Sequence, residues 1–508
     1  MRYIKESNVK MILVIGDWSL GIRRILGCLL LLGFISSCSV SKQIGKQAND
    51  ILINDTAIST GHIGISIYEP ATDKYWYNYN ATKYFIPASN TKLFTLYAGM
   101  KYLGDSLVGM RYTFYDALSS KDGNIKILAL NPSGDPTFLN PEFTYQPVST
   151  FLHNARFDKF TVSQDSWKSS SLGSGWAWDD YNEPYLAERS PMPVYGNIIK
   201  IELEKVEENS ARYLALKKRN TKKDSSIIPV QKYFLKTTPS FFEKNLNTKA
   251  DFNYFIEMEK EGKIKIVRHQ FSNIFDFERS STVLKSVAIP FYTKIDSTSL
   301  NFMPYEHSVA SKILSELLSK KEIYNGTLGL KLDFTPIHSQ PSDSLFKPMM
   351  HRSDNFFAEQ TLLMASNEHL GYMSDEKIID TLLKTDLKDI PQKPKWVDGS
   401  GLSRYNLFTP QSFVYILNKT KNEFGWDRIK NILPTGGTGT LSNKNKKDSS
   451  FIYAKTGTLS NNCALSGYLI TKKGKLLIFS VLANNYISGA TPVRRAVEKF
   501  LLAIRENY

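Results

Sequence analysis

The sequence predicts an α/β (α+β) protein in which an antiparallel sheet flanked by helices is interrupted by a large strand-rich insertion. Three observations predict it. An apolar helix pattern follows Pro87, two apolar strand patterns span residues 464–470 and 475–482, and many short strand-like segments lie between these regions. A chain of 508 residues exceeds the usual single-domain range, so two or three domains are expected. With 42% hydrophobic and 22% charged residues, wholesale disorder is excluded.

The N-terminus reads as an address. Arg23-Arg24 precede a short apolar run, Ile25 to Ile35, and then Ser36-Ser37-Cys38. That run is too short to span a bilayer comfortably and fits a secretory signal. Ile35-Ser36-Ser37-Cys38 resembles a bacterial lipobox, which implies acylation of Cys38 and a multi-chain lipid anchor. The expectation is a lipoprotein signal over 1–37, with an exported body facing the periplasm. Of the cysteines, Cys28 and Cys38 belong to this region, and Cys463 alone lies in the body. A disulfide framework is therefore excluded, and Cys463 reads as a small buried residue.

The formal charge of +15 admits nucleic acid, anionic lipid or an acidic wall polymer as partners. The basic residues are dispersed, however, and the densest run, Lys217 to Lys223, sits between strand-like segments as a solvated loop. Nucleic acid is not expected. Seven histidines include no His-Glu-x-x-His pair, and no Gly-x-x-x-x-Gly-Lys loop occurs, so neither a metal nor a cofactor is implied.

Ile86 to Ala98 reads as the start of a helix behind Pro87. Ser89 and Lys92 are three apart, which places them on one helical face. A serine hydroxyl is a weak nucleophile until a base takes its proton. A lysine serves as that base when desolvation keeps it neutral. Ser-x-x-Lys also occurs at Ser39–Lys42, Ser344–Lys347 and Ser374–Lys377, and these read as noise. Ser89 differs by its setting, with Leu93, Phe94 and Leu96 to bury the helix.

The stretch from Ser89 to Ser353 is far longer than one compact domain needs. It carries strand-like segments at Lys126–Leu130, Asn197–Ile201 and Ile264–Val267, with turn signals such as Asp122-Gly123. The expected organisation is one domain from 38–105 and 301–508, interrupted by an accessory insertion over 106–300.

Ser353-Asp354-Asn355 would place a proton-relaying hydroxyl and an orienting amide in one cleft. The only Lys-Thr-Gly of the chain, Lys455-Thr456-Gly457, is followed by Thr458 and by the two apolar strands, which puts Lys455 on an antiparallel strand. Gly457 would let a substrate backbone lie close. Lys455, Thr456 and Thr458 suit a terminal carboxylate. The backbone N–H groups of Ser89 and Thr458 would converge as an oxyanion hole.

Ser-x-x-Lys, Ser-Asp-Asn and Lys-Thr-Gly in this order resemble the signature of serine β-lactamases and penicillin-binding proteins. Further segments sharpen the resemblance: Gly134-Asp135-Pro136-Thr137, Trp176 to Asp180, and Asp398-Gly399-Ser400-Gly401-Leu402-Ser403-Arg404. Together they make the chain similar to the class C low-molecular-mass penicillin-binding proteins, the type-4-like D-alanyl-D-alanine carboxypeptidase/endopeptidase family. The resemblance covers nearly the whole mature chain. It implies a serine β-lactamase/transpeptidase-like domain acting on peptidoglycan stem peptides through an acyl-enzyme on Ser89, with β-lactams as covalent inhibitors.

Lys92 is then the base, Ser353 the donor to the leaving amine, Asn355 the holder of the acyl side, and Lys455 with Thr456 the carboxylate site. Asp180 and Arg404 stand where family members hold the end of a diamino-acid side chain. Ser460 departs from relatives that carry glutamine there. Two alternatives stay open on sequence alone. A β-lactamase would turn over penicillin rapidly, whereas a non-catalytic wall-binding protein would not react with it.

Overall fold

The computed structural model describes residues 40–119, 122–163, 165–205, 233–240, 264–268, 275–279, 286–290, 308–318, 332–442 and 450–508. The signal region 1–37, Cys38 and the basic run from Lys217 to Lys223 lie outside the described residues.

In chain order, helix α1 (residues 40–48) precedes strands β1 (His62–Glu69) and β2 (Lys74–Tyr79). A 3-10 turn, Ala88–Thr91, runs into α2 (Lys92–Tyr102). Then come β3 (Ser106–Ser119), β4 (Gly123–Pro132), α3 (Pro147–Asn154), β5 (Lys159–Val162), β6 (Ile198–Lys205) and β7 (Tyr233–Thr238). They are followed by β8 (Ile264–Arg268), β9 (Phe275–Arg279), β10 (Ser286–Pro290), α4 (Val309–Leu317) and β11 (Thr335–Pro341). Helices α5 (Ser342–His351), α6 (Asn355–Leu370), α7 (Asp375–Lys384), α8 (Pro410–Phe424) and α9 (Trp426–Ile432) lead to β12 (Ile452–Leu459), β13 (Asn462–Ile470), β14 (Leu476–Asn484) and α10 (Ala490–Asn507).

The main sheet has the order β12-β13-β14-β1-β2, and its neighbouring strands are antiparallel. β13 and β14 are buried along almost their whole length, so they read as continuous apolar runs rather than alternating ones. The period of two explains this. Ala464, Tyr468, Ile478 and Leu482 join one core with α2, α6 and α8, while Leu465, Leu469, Phe479 and Val481 join another with Val497, Phe500 and Ile504 of α10. Both faces of the sheet are covered by helices.

Helices α2 and α6 are buried all round. Residues 92–100 of α2 and 356–367 of α6 are shielded from solvent, and the two helices pack against each other. Such helices sit at the centre of a domain rather than on its surface. Asp354 caps α6 by accepting from Phe357 N at 2.9 Å, and Gly371 ends that helix in the left-handed conformation at φ 80°.

The strand-rich part forms its own sheet, β11-β3-β4-β5, with β4 and β5 parallel, and a second sheet, β10-β6-β7. Met110, Leu128, Phe160 and Ile199 share one core with Val309, Ile313 and Leu314 of α4. β11 pairs with β3, so this unit draws on residues past 300, where the sequence places its end. A strand's partner is a tertiary fact, and no turn signal marks it.

Candidate active site

Ser89, the expected nucleophile, sits on a turn, not inside an α-helix. Ala88 has φ 47°, Ala88–Thr91 form the 3-10 turn, and Lys92 is the first residue of α2. The spacing of three still brings the side chains together: Lys92 Nζ lies 3.0 Å from Ser89 Oγ. The lysine is completely buried. Its nitrogen also lies 2.6 Å from Asn355 Oδ1 and 2.7 Å from the Ser400 carbonyl oxygen. Asn355 is oriented by its own amide, which donates to the Tyr185 carbonyl at 3.1 Å.

These partners define the chemistry. A carbonyl and an amide oxygen only accept, so they take two hydrogens of a neutral amine. Protonated, Lys92 donates to all three oxygens; in the neutral form its lone pair is left to Ser89 Oγ, which alone of these three partners carries a proton. Burial lowers the Lys92 pKa to about 8, against the opposing pull of the Asp398, Glu359 and Asp354 carboxylates.

Ser353 adopts φ 61°, in the left-handed region, immediately before the cap of α6. Its hydroxyl meets Lys455 Nζ at 2.8 Å, and Lys455 Nζ also donates to the Thr456 carbonyl at 2.7 Å. Lys455 is fully buried, and burial together with the nearby Lys92 charge holds it well below the ordinary lysine range. A charge on Lys92 therefore disfavours one on Lys455.

Gly457 has a different task from the one its sequence context suggests. A Cβ there would stand 2.6 Å from Pro87 O and 3.1 Å from Ser89 N. The space it leaves open is filled by the nucleophile turn itself rather than by substrate backbone. Asn90 fastens that turn to the sheet by donating to Ser466 Oγ at 2.7 Å, and Ser466 in turn donates to Ser480 Oγ at 2.8 Å. Thr456 and Thr458 alternate to the other side of β12. Ser89, Ser353, Thr456, Thr458 and Arg494 line one cavity of about 630 Å³, so the two residues whose N–H groups are expected to form the oxyanion hole share a groove.

The run from Asp398 to Arg404 wraps the nucleophile turn. Asp398 accepts from Gly401 N at 2.8 Å, Ser403 N at 2.7 Å, Asn406 Nδ2 at 2.7 Å and Trp176 Nε1 at 3.0 Å. Gly401 has φ 84°, and a Cβ there would meet Ala88 O at 2.0 Å. Glycine is demanded on both counts. The result is that the Ser400 carbonyl reaches Lys92.

Two residues that carry no motif complete the arrangement. Glu359 Oε1 accepts from Ser400 N at 2.7 Å, and Glu359 Oε2 pairs with Arg189 Nη1 at 3.2 Å. Arg189 also pairs with Asp375 at 2.6 Å. Burial and Asp398 raise the Glu359 pKa to about 7, while Arg189 opposes the rise. The available signal was a lone acid inside the apolar run Phe356 to Leu363.

Asp180 ends a 3-10 turn, Trp178–Asp180, and faces Tyr185, whose phenol is raised by burial and by this carboxylate. Arg404 Nη1 donates to the Ser460 carbonyl at 3.3 Å, just past β12. Among the described residues no ion pair joins Asp180 to Arg404. Of the other Ser-x-x-Lys matches, Ser374 caps α7 by accepting from Lys377 N, Ser344–Lys347 lies within α5, and Ser39 lies outside the described residues.

A family model described as the D-Ala-D-Ala carboxypeptidase 3 (S13) family matches residues 46–230 and 334–505. The chain is 22% identical over 521 residues to penicillin-sensitive carboxypeptidase A of Dictyostelium discoideum, covering 91% of this chain and 92% of that protein. It is 23% identical to the D-alanyl-D-alanine carboxypeptidase of Actinomadura sp. (strain R39), over 88% of this chain and 82% of that one. The structure of penicillin binding protein 4 from Haemophilus influenzae superposes with a TM-score of 0.62 at 17% identity, covering 91% of this chain and 98% of that one, and shares its fold.

Proposed function

Because the chain belongs to the D-Ala-D-Ala carboxypeptidase 3 (S13) family, it is a serine-type D-Ala-D-Ala carboxypeptidase/endopeptidase, and we propose that Ser89 forms its acyl-enzyme with peptidoglycan stem peptides. The observation that carries this assignment is the environment of Lys92, where two obligate acceptors leave the lone pair to Ser89. Lys92 takes the hydroxyl proton as Ser89 Oγ attacks the carbonyl of the penultimate D-alanine. The Ser89 and Thr458 N–H groups hold the oxyanion. Ser353 passes a proton to the leaving amine and is resupplied through Lys455 with the proton that Lys92 took from Ser89, which leaves Lys92 neutral. Water then attacks the ester, with Lys92 again as base.

Asn355 holds Lys92 and the acyl side of the substrate. In this proposal Asp180 and Arg404 hold the end of a diamino-acid side chain. β-Lactams, which acylate the same oxygen, are the covalent inhibitors of this scheme. The test is labelling by a tagged penicillin, which Ser89→Ala must abolish; a mutant that still labels refutes the nucleophile assignment. Weighing the products of defined muropeptides then separates loss of D-alanine from loss of a cross-link.

Export and anchoring rest on Ile35-Ser36-Ser37-Cys38. In this proposal Cys38 is acylated and the body faces the periplasm. Metabolic incorporation of a fatty-acid analogue, lost in Cys38→Ala, is the expected result; equal incorporation in the variant refutes it.

A further inference from the structure

A terminal carboxylate needs a positive charge beside β12, and Lys455 is badly placed to supply it. Its side chain is fully buried, its nitrogen faces Ser353 Oγ and Thr456 O, and the neighbouring Lys92 disfavours its charge. The groove contains another cation. Arg494, near the start of α10, donates from Nη2 to Thr458 Oγ1 at 2.5 Å.

This contact crosses the edge of the sheet. α10 packs on the face of the sheet away from α2, yet Arg494 lines the same cavity as Ser89, Thr456 and Thr458. A guanidinium offers five donors in a planar fork, so one bond to Thr458 leaves others for an anion. By accepting from Arg494, the Thr458 hydroxyl keeps its own hydrogen to donate. Arg495 and Glu498 line the cavity as well, but Arg494 is the arginine held on the Thr456–Thr458 face of the strand.

We propose that Arg494 is a specificity-determining residue that, with the Thr456 and Thr458 hydroxyls, receives the carboxylate of the peptide's leaving residue. The inference rests on the acyl-enzyme reading above. It reassigns the charge for this subsite from Lys455 to Arg494 and leaves Lys455 to proton transfer through Ser353.

The test compares an N-acylated D-Ala-D-Ala peptide with its C-terminal carboxamide, using wild type, Arg494→Gln, Arg494→Lys and Arg495→Gln of the chain from residue 39 onward. Arg494→Gln lowers kcat/KM on the free acid at least tenfold, mainly through KM, and changes the carboxamide less than threefold. Arg494→Lys recovers part of the loss. The inference is overturned if acid and amide fall equally, if wild type does not discriminate between them, or if Arg495→Gln rather than Arg494→Gln carries the loss. A wild type that hydrolyses neither peptide and is not labelled at Ser89 refutes the acyl-enzyme reading itself.

Discussion

Arg189 Nη1 and Glu359 Oε2 stand 3.2 Å apart, each side chain 1% exposed, and through Ser400 this pair ties Arg189 to Lys92. The other Glu359 oxygen holds Ser400 N, and the Ser400 carbonyl holds Lys92. Arg189→Met strands the buried Glu359 carboxylate and unpairs the partly exposed Asp375, so it is expected to cost about 3–5 kcal/mol in denaturant unfolding.

Glu359→Gln keeps an acceptor for Ser400 N but removes a charge that favours protonated Lys92. The acid limb of the penicillin acylation profile is expected to move down by up to about one pH unit. With the native Glu359 pKa raised from 4.5 to about 7, the folded state holds a proton in that window that the unfolded chain lacks. Stability therefore falls as pH rises from 4.5 to 7, and Glu359→Gln flattens that slope. Superimposable profiles for both proteins would refute this role.

If Lys92 is the base, its titration sets the activity profile. With a pKa lowered to about 8, the neutral base is depleted below that value and saturated above it. Acylation should rise about tenfold per pH unit up to about 8 and then level off. Stopped-flow acylation between pH 6 and 9.5 measures it, and a flat profile would exclude Lys92 as base.

Asn355→Asp places a carboxylate where Oδ1 now lies 2.6 Å from Lys92 Nζ. An ion pair there stabilises the ammonium, which has no lone pair for the Ser89 proton. Acylation at pH 7 is expected to fall more than tenfold and to recover at higher pH. Asn355→Ala, in contrast, lowers the rate without moving the limb upward.

Gly457→Ala tests the fit of β12 against the nucleophile turn. The new Cβ would lie 2.6 Å from Pro87 O, so turn or strand must shift. The expected cost is about 1–3 kcal/mol in stability, with a loss of acylation well beyond what a stable surface substitution causes. Unchanged acylation would place the contact outside the catalytic geometry.

The site was legible wherever chemistry follows from local spacing. Ser89 and Lys92 meet because they are three apart, and β13 and β14 are visible as apolar runs. Identical local patterns still have different fates, as Ser374 and Lys377 form only a helix cap. Glu359, Arg189 and Arg494 were missed because their partners lie far away in sequence: 170 positions separate Arg189 from Glu359. The orientation of Gly457 was equally hidden, since only packing decides which side of an edge strand meets the turn. The same holds for β11, whose recruitment by β3 extends the strand-rich unit beyond the position that composition suggested.

β1 lies between β2 and β14, and β12 to β14 follow nearly all of the chain. The scaffold behind Ser89 therefore waits for strands made long after it, at a high loop-closure entropy. A nascent polypeptide that stops short of β12 has Ser89 and Lys92 but no opposing wall to their groove.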